Sequence, residues 1–110
     1  MTTPYVIKAV VPVAGGPGVL VREFTFAPGE ATPWHRHSEM TDRAYGLAGR
    51  VTLEVRDGAS VALAPGDMAQ VPVGETHRLV NHGAEDGRVL LVQSGGRYDF
   101  NEVAEATEPT

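Results

Sequence analysis

The sequence predicts an all-β protein, a sandwich or barrel, from three observations. Short runs of β-branched and aromatic residues recur, separated by 13 glycines and 8 prolines. Those runs are spaced at roughly 8–12 residues, the rhythm of a sandwich or barrel. No window of 11 or more residues holds an uninterrupted helical period. The chain is 110 residues long, a length that suits one domain with one core.

The strands follow in order. Val19 to Phe26 is the first, closed by Ala27-Pro28-Gly29. Val51 to Val55 alternates apolar with polar, the period of a half-buried strand, and runs into Asp57-Gly58, a strong hairpin signal. Val61 to Leu63 is the return strand. Pro65-Gly66-Asp67 turns the chain into Met68 to Val71, and Arg78 to Val80 and Arg88 to Val92 are two more strands around the polar turn from Asn81 to Gly87. Asn101 to Thr110 is acidic and poor in apolar residues, so a single barrel domain over residues 1–100 and a flexible tail over 101–110, frayed or at most a short helical turn, are expected. The apolar segment Tyr5 to Val13 could add a strand to a partner copy, which predicts a homodimer.

Composition narrows the chemistry. The net charge is −5, Lys8 is the one lysine, and the eight arginines form no basic run, so nucleic acid and anionic membranes are not expected partners. The chain has no cysteine, which excludes disulfides, a thiol nucleophile and thiolate metal ligands. The N-terminus lacks the basic and apolar regions of a signal peptide, and no apolar stretch approaches membrane-spanning length, so a cytoplasmic protein is expected.

Of four histidines, His35 and His37 are separated by one residue. On an extended chain such a pair shares a face, with Cα atoms roughly 6.6 Å apart, and two imidazoles can converge on one ion. Around them stand Gly29, Asp42 and Gly49; further on, Gly66, Pro72, Gly74, His77 and Asn81 follow as Gly-x5-Pro-x-Gly-x2-His-x3-Asn. This resembles the two motifs of the cupin superfamily. The second motif is matched at every fixed position; the first departs by carrying Asp42 where the family usually has glutamate.

The resemblance implies an antiparallel β-barrel of jelly-roll type with one divalent metal ion inside its mouth. Carried over by position, the ligands are His35, His37, Asp42 and His77, while Gly66, Pro72, Gly74 and Asn81 are structural. Asp42 lies an odd number of residues from His37, so it faces the same way only if the chain turns between Ser38 and Thr41. Glu39 has the matching parity and is the rival carboxylate. Imidazole and carboxylate ligands suit Fe, Mn, Ni, Co or Zn, with up to two coordination positions left for a small-molecule ligand. An enzyme acting on a small oxygenated organic molecule, by dioxygenase, isomerase or decarboxylase-like chemistry, is the first expectation. A non-enzymatic module binding a sugar or organic acid is the second.

Neighbouring residues complete the expectation. If Asp42 points inward, Ala44 and Gly46 accompany it and leave room for a ligand, with Tyr45 and Leu47 on the other side. Met68 and Gln70 share one face and are candidates for the same cavity. Arg22, Arg43 and Arg78 would suit an anionic substrate, but alternation turns Arg43 and Arg78 outward. His82 reads as a loop residue, and Phe24, Phe26, Trp34 and Met40 as core or interface.

Overall fold

A computed structural model describes residues 5–104. Ten strands follow one another: β1 Ala9–Gly16, β2 Val19–Phe26, β3 His35–Arg36, β4 Met40–Ala48, β5 Val51–Val55, β6 Val61–Leu63, β7 Met68–Val71, β8 His77–Val80, β9 Gly87–Gly95 and β10 Asn101–Glu102. They form two five-stranded antiparallel sheets, ordered β1-β2-β9-β4-β7 and β10-β3-β8-β5-β6. The all-β jelly-roll class read from the sequence is the class observed. No helix among the described residues is long and apolar enough to cross a membrane.

Alternation builds the core. On β2 the buried residues are Arg22, Phe24 and Phe26; on β9 they are Gly87, Val89, Leu91 and Gln93. Phe24, Phe26, Val51, Leu53, Leu63, Val71, Leu79, Val89 and Leu91 pack between the sheets as one cluster. Asn81, fully buried, donates from Nδ2 to the carbonyls of Phe26 and Glu85 and accepts from the Gly83 N–H, so its amide fastens the β8–β9 turn to the end of β2. That is the local backbone role expected of it.

The structure adds β1, β3, β4 and β10 to the six strands read from the sequence and lengthens β9. β1 pairs with β2 of its own chain, so Ala9 to Val13 is used internally; only its outer edge is left for a partner. Arg88 to Val92 lengthens to Gly87–Gly95 because it is paired on both sides, by β2 and by β4. Asn101 and Glu102 pair with Arg36 and His35, so the barrel extends two residues into the tail expected to fray. Val103 and Ala104 are tied on as well, by the Trp34 carbonyl and the Arg56 guanidinium, and 105–110 lie outside the described residues.

Candidate metal centre

The two sheets each deliver part of one cluster. β3 and β8 bring His35 opposite His77 in register, and His37 follows directly after β3. β4 brings Asp42 from the other sheet, where it faces Gln93 of β9 and Val71 of β7. The chain does turn at Ser38 and Glu39 before β4 begins, which resets the parity and lets Asp42 face the histidines. Glu39, the rival, is exposed and instead accepts the N–H of Arg97 at 2.8 Å. One ligand atom from each of His35, His37, Asp42 and His77 lies within 4.8 Å of the others, and all four residues are at least 95 % buried.

The second ring nitrogens set the orientation. Nδ1 of His35 donates to the Pro33 carbonyl at 2.8 Å, that of His77 to Glu75 at 2.8 Å, and that of His37 to Asp99 at 2.5 Å. A carbonyl only accepts, so each Nδ1 carries a proton, and each ring once neutral presents an Nε2 lone pair inward. Pro33 and Glu75 each sit two residues before the histidine they hold. Gly74 adds to the frame: its φ of 82° suits glycine, and its N–H donates to the His37 carbonyl at 2.9 Å.

The inward lone pairs meet further acceptors. Asp42 Oδ2 lies 2.9 Å from His77 Nε2 and 3.4 Å from His37 Nε2. Lone pairs at that separation repel unless a proton or a metal cation lies between them, so the donor set fits a divalent ion. Burial, reinforced by His77 nearby, pulls the His35 pKa down to about 3 and keeps that ring neutral. Burial also disfavours charge on His37, but the Asp42 carboxylate and the Asp99 carbonyl outweigh it and hold its pKa above the ordinary 6.5. Asp42 stays ionised: the hydrogen bonds and charges of His37 and His77 overcome its desolvation.

Residues that sequence reasoning did not single out complete the site. Gln93, 1 % exposed, donates from Nε2 to Asp42 Oδ1 at 2.9 Å and fixes that carboxylate. The signal was available, since Gln93 has the inward parity of Val89 and Leu91. Past β9 the chain crosses the barrel mouth. Phe100 stacks on His35 with ring centroids 4.3 Å apart, and Tyr98 lies over His37 at 5.6 Å. Tyr5 backs Phe100 at 5.4 Å. Two aromatic residues spaced i, i+2 after the last long strand were the sequence trace of this crossing.

Some expectations need correction. Tyr45 and Leu47 do point outward and Ala44 and Gly46 inward, but Gly46 leaves no ligand volume. A Cβ there would lie 2.1 Å from the Ala64 carbonyl oxygen, so the glycine admits the β6–β7 turn. Met68 and Gln70 are exposed, and the inward face of β7 is Ala69 and Val71, because β7 pairs Val71 with Asp42 and Ala69 with Ala44. Arg78 turns outward as expected, against the Trp34 ring and Glu54. The space enclosed by the cluster and its aromatic cover is about 10 Å³, enough for one ion or water.

Comparison with known proteins gives the same frame. The family model described as "Cupin domain" matches residues 22–93. Among solved structures, TT1209 from Thermus thermophilus superposes with a TM-score of 0.74 at 29 % identity, covering 81 % of this chain and 84 % of that one. KdgF from Halomonas sp. gives 0.71 at 25 % identity, over 80 % and 78 % of the two chains. The polyketide cyclase RemF from Streptomyces resistomycificus gives 0.69 at 28 % identity, over 84 % and 65 %. Among curated proteins, none matches the sequence.

Proposed function

The chain belongs to the cupin family, and on that premise we propose that it holds one divalent ion on His35, His37, His77 and Asp42 and uses it to transform a small oxygenated organic molecule. The observation that carries this reading is the three inward Nε2 atoms, each fixed by a carbonyl bond at Nδ1, gathered around one buried carboxylate. Fe, Mn, Ni, Co or Zn all suit three imidazoles and a carboxylate. When bound, such an ion polarises a substrate oxygen or activates water at its remaining positions.

The chain's own residues supply the rest. Gln93 holds the Asp42 carboxylate toward the histidines, and the Tyr98–Phe100 crossing keeps bulk water from the cluster. Similarity to a polyketide cyclase supports chemistry on an oxygen-rich small molecule. Apart from the ligands, only Tyr5 and Tyr98 among the lining residues could take up a proton from a substrate, which favours chemistry centred on the ion.

The test is a panel of diketones, enols and sugar acids offered to metal-loaded protein. Turnover that disappears in His35→Ala supports the reading; a fully loaded protein inert to the whole panel contradicts it. The same buried cluster would also serve one other reading, a module that binds a sugar or organic acid without turning it over. Ligand-dependent stabilisation without product would identify that module. We also propose a homodimer, formed along the outer edge of β1, where Val11 and Val13 are exposed. A single-chain mass at high concentration would remove that proposal.

A further inference from the structure

Beyond β9 the chain crosses the barrel mouth, and along that crossing it is tied to the segment that carries His35 and His37. Glu39 receives its start: the Glu39 carbonyl accepts the Gly96 N–H at 2.9 Å and the carboxylate accepts the Arg97 N–H at 2.8 Å. The Asp99 carbonyl accepts from His37 Nδ1, and the Asp99 carboxylate accepts the Ser38 N–H at 2.9 Å. Asn101 and Glu102 pair with Arg36 and His35 as the outermost strand of that sheet. The Val103 N–H donates to the Trp34 carbonyl at 2.8 Å. Phe100 lays its ring on His35, and Tyr98 lies over His37.

The ligand residues are held unequally. Asp42 stands on β4, which is paired on both sides, and His77 on β8, which is paired along its length with β5. β3 is two residues long and meets β8 through one residue pair, His35 with His77. An element with so few ladder bonds opens locally at low free energy. The crossing is exposed from Gly95 to Arg97 and again at Asn101 and Glu102, so it leans on the β3 edge for support. An ion held by Nε2 of His35 and His37 would fix that edge from inside. It would also draw electron density from the His37 ring and make Nδ1–H a stronger donor to the Asp99 carbonyl.

We infer that residues 97–104 form a strap whose docking is coupled to ion binding: with an ion on the histidines the strap closes over the mouth, and the closed strap holds the ion more tightly. The inference rests on the proposed ion. The contacts that differ between the two states are the His37–Asp99 bond, the Ser38–Asp99 bond and the Phe100 stack on His35. By linkage the two effects share one factor: what the ion adds to strap closure, the strap adds to ion affinity. The enclosed space of about 10 Å³ admits no organic molecule, so undocking of the strap is also the way in for a ligand.

The test is amide hydrogen exchange of the full chain, followed by NMR with and without Zn(II), beside Zn(II) affinity measured by competition with a chelator. Zn(II) should slow exchange at the Arg97 and Val103 amides by about 5- to 100-fold. It should leave Gly83 unchanged, whose N–H donates to Asn81 at the opposite end of β8 from His77. In the double variant Asp99→Ala with Phe100→Ala, the strap should exchange fast with or without Zn(II), and Zn(II) affinity should fall by a similar factor. The wild-type comparison decides by itself if the double variant does not fold. Undiminished affinity in a folded double variant overturns the inference. So does equal slowing at Arg97, Val103 and Gly83, the pattern of general stabilisation. Wild-type protein that takes up no Zn(II) overturns the metal reading and this inference with it. Stoichiometric Zn(II) with strap exchange unchanged, the pattern of a fixed cover, overturns this inference alone.

Discussion

At the scale of single residues, the site is decided by atoms that never touch the proposed ion. The carbonyls of Pro33, Glu75 and Asp99 set which nitrogen of each histidine is free, and Gln93 sets the direction of Asp42. Gln93→Leu keeps the volume but removes the donor to Asp42 and the acceptor for Arg22. It should lower metal affinity about 10- to 100-fold with the fold intact, measured by competition with a chelator; an unchanged affinity would show that Asp42 needs no such support. The histidines also predict a pH dependence. His35, with its pKa near 3, is already neutral when an ion arrives at neutral pH. His37 holds its proton to higher pH than an ordinary imidazole, so the ion must displace that proton. Apparent metal affinity should therefore rise with pH through the raised His37 pKa and level off above it. Calorimetry in buffers of different ionisation heat should detect about one proton released per ion just below that pKa; no release would contradict the assignment.

At the scale of elements, most strands could be read from alternation and turn residues, and the exceptions have physical reasons. Val51–Val55, Val61–Leu63 and Met68–Val71 are bounded by Asp57-Gly58 and Pro65-Gly66-Asp67, and the structure has them at those limits. β3 is only two residues long and β10 likewise, too short for any periodicity; both exist because they pair with each other and, for β3, with β8. The gathering of His35, His37 and His77 was legible through motif spacing, which left the carboxylate between Asp42 and Glu39; the bend at Ser38 and Glu39 brings Asp42 to the cluster. The aromatic cover left only the i, i+2 spacing of Tyr98 and Phe100 as its trace, and in the irregular segment after β9 that spacing does not say where the chain runs. Gly46 illustrates the same limit: its inward direction follows from alternation, but the turn that fills its space comes from β6–β7. Gly46→Ala drives a methyl into the Ala64 carbonyl and should cost about 3 kcal/mol or more, read from denaturant unfolding. A loss below about 0.5 kcal/mol would mean that the turn yields freely, and that this side of the barrel is less closely packed than interiors generally are.

At the scale of the whole molecule, the ligand set ties the two sheets together. His35, His37 and His77 stand on or beside the β3–β8 sheet and Asp42 on the β4–β9 sheet, so one ion would cross-link both layers. Metal at about 100 times its dissociation constant should then stabilise the fold by about 2.7 kcal/mol, raising Tm by ~10 °C, and a chelator should reverse the shift. A Tm indifferent to every candidate metal would mean that the folded protein binds none of them, and would contradict the proposed site. The fold class was legible in the whole sequence because strand spacing and turn chemistry agree along its length, whereas the reaction depends on the few atoms around one cavity, which strand patterning does not specify. The most direct test of the central claim is anomalous diffraction from crystals grown with Mn, Co or Zn. The account predicts one peak inside the barrel, about 2.0–2.2 Å from Nε2 of His35, His37 and His77 and from a carboxylate oxygen of Asp42. Crystals that show no peak there, or place the ion beyond reach of any of those three nitrogens, would contradict it.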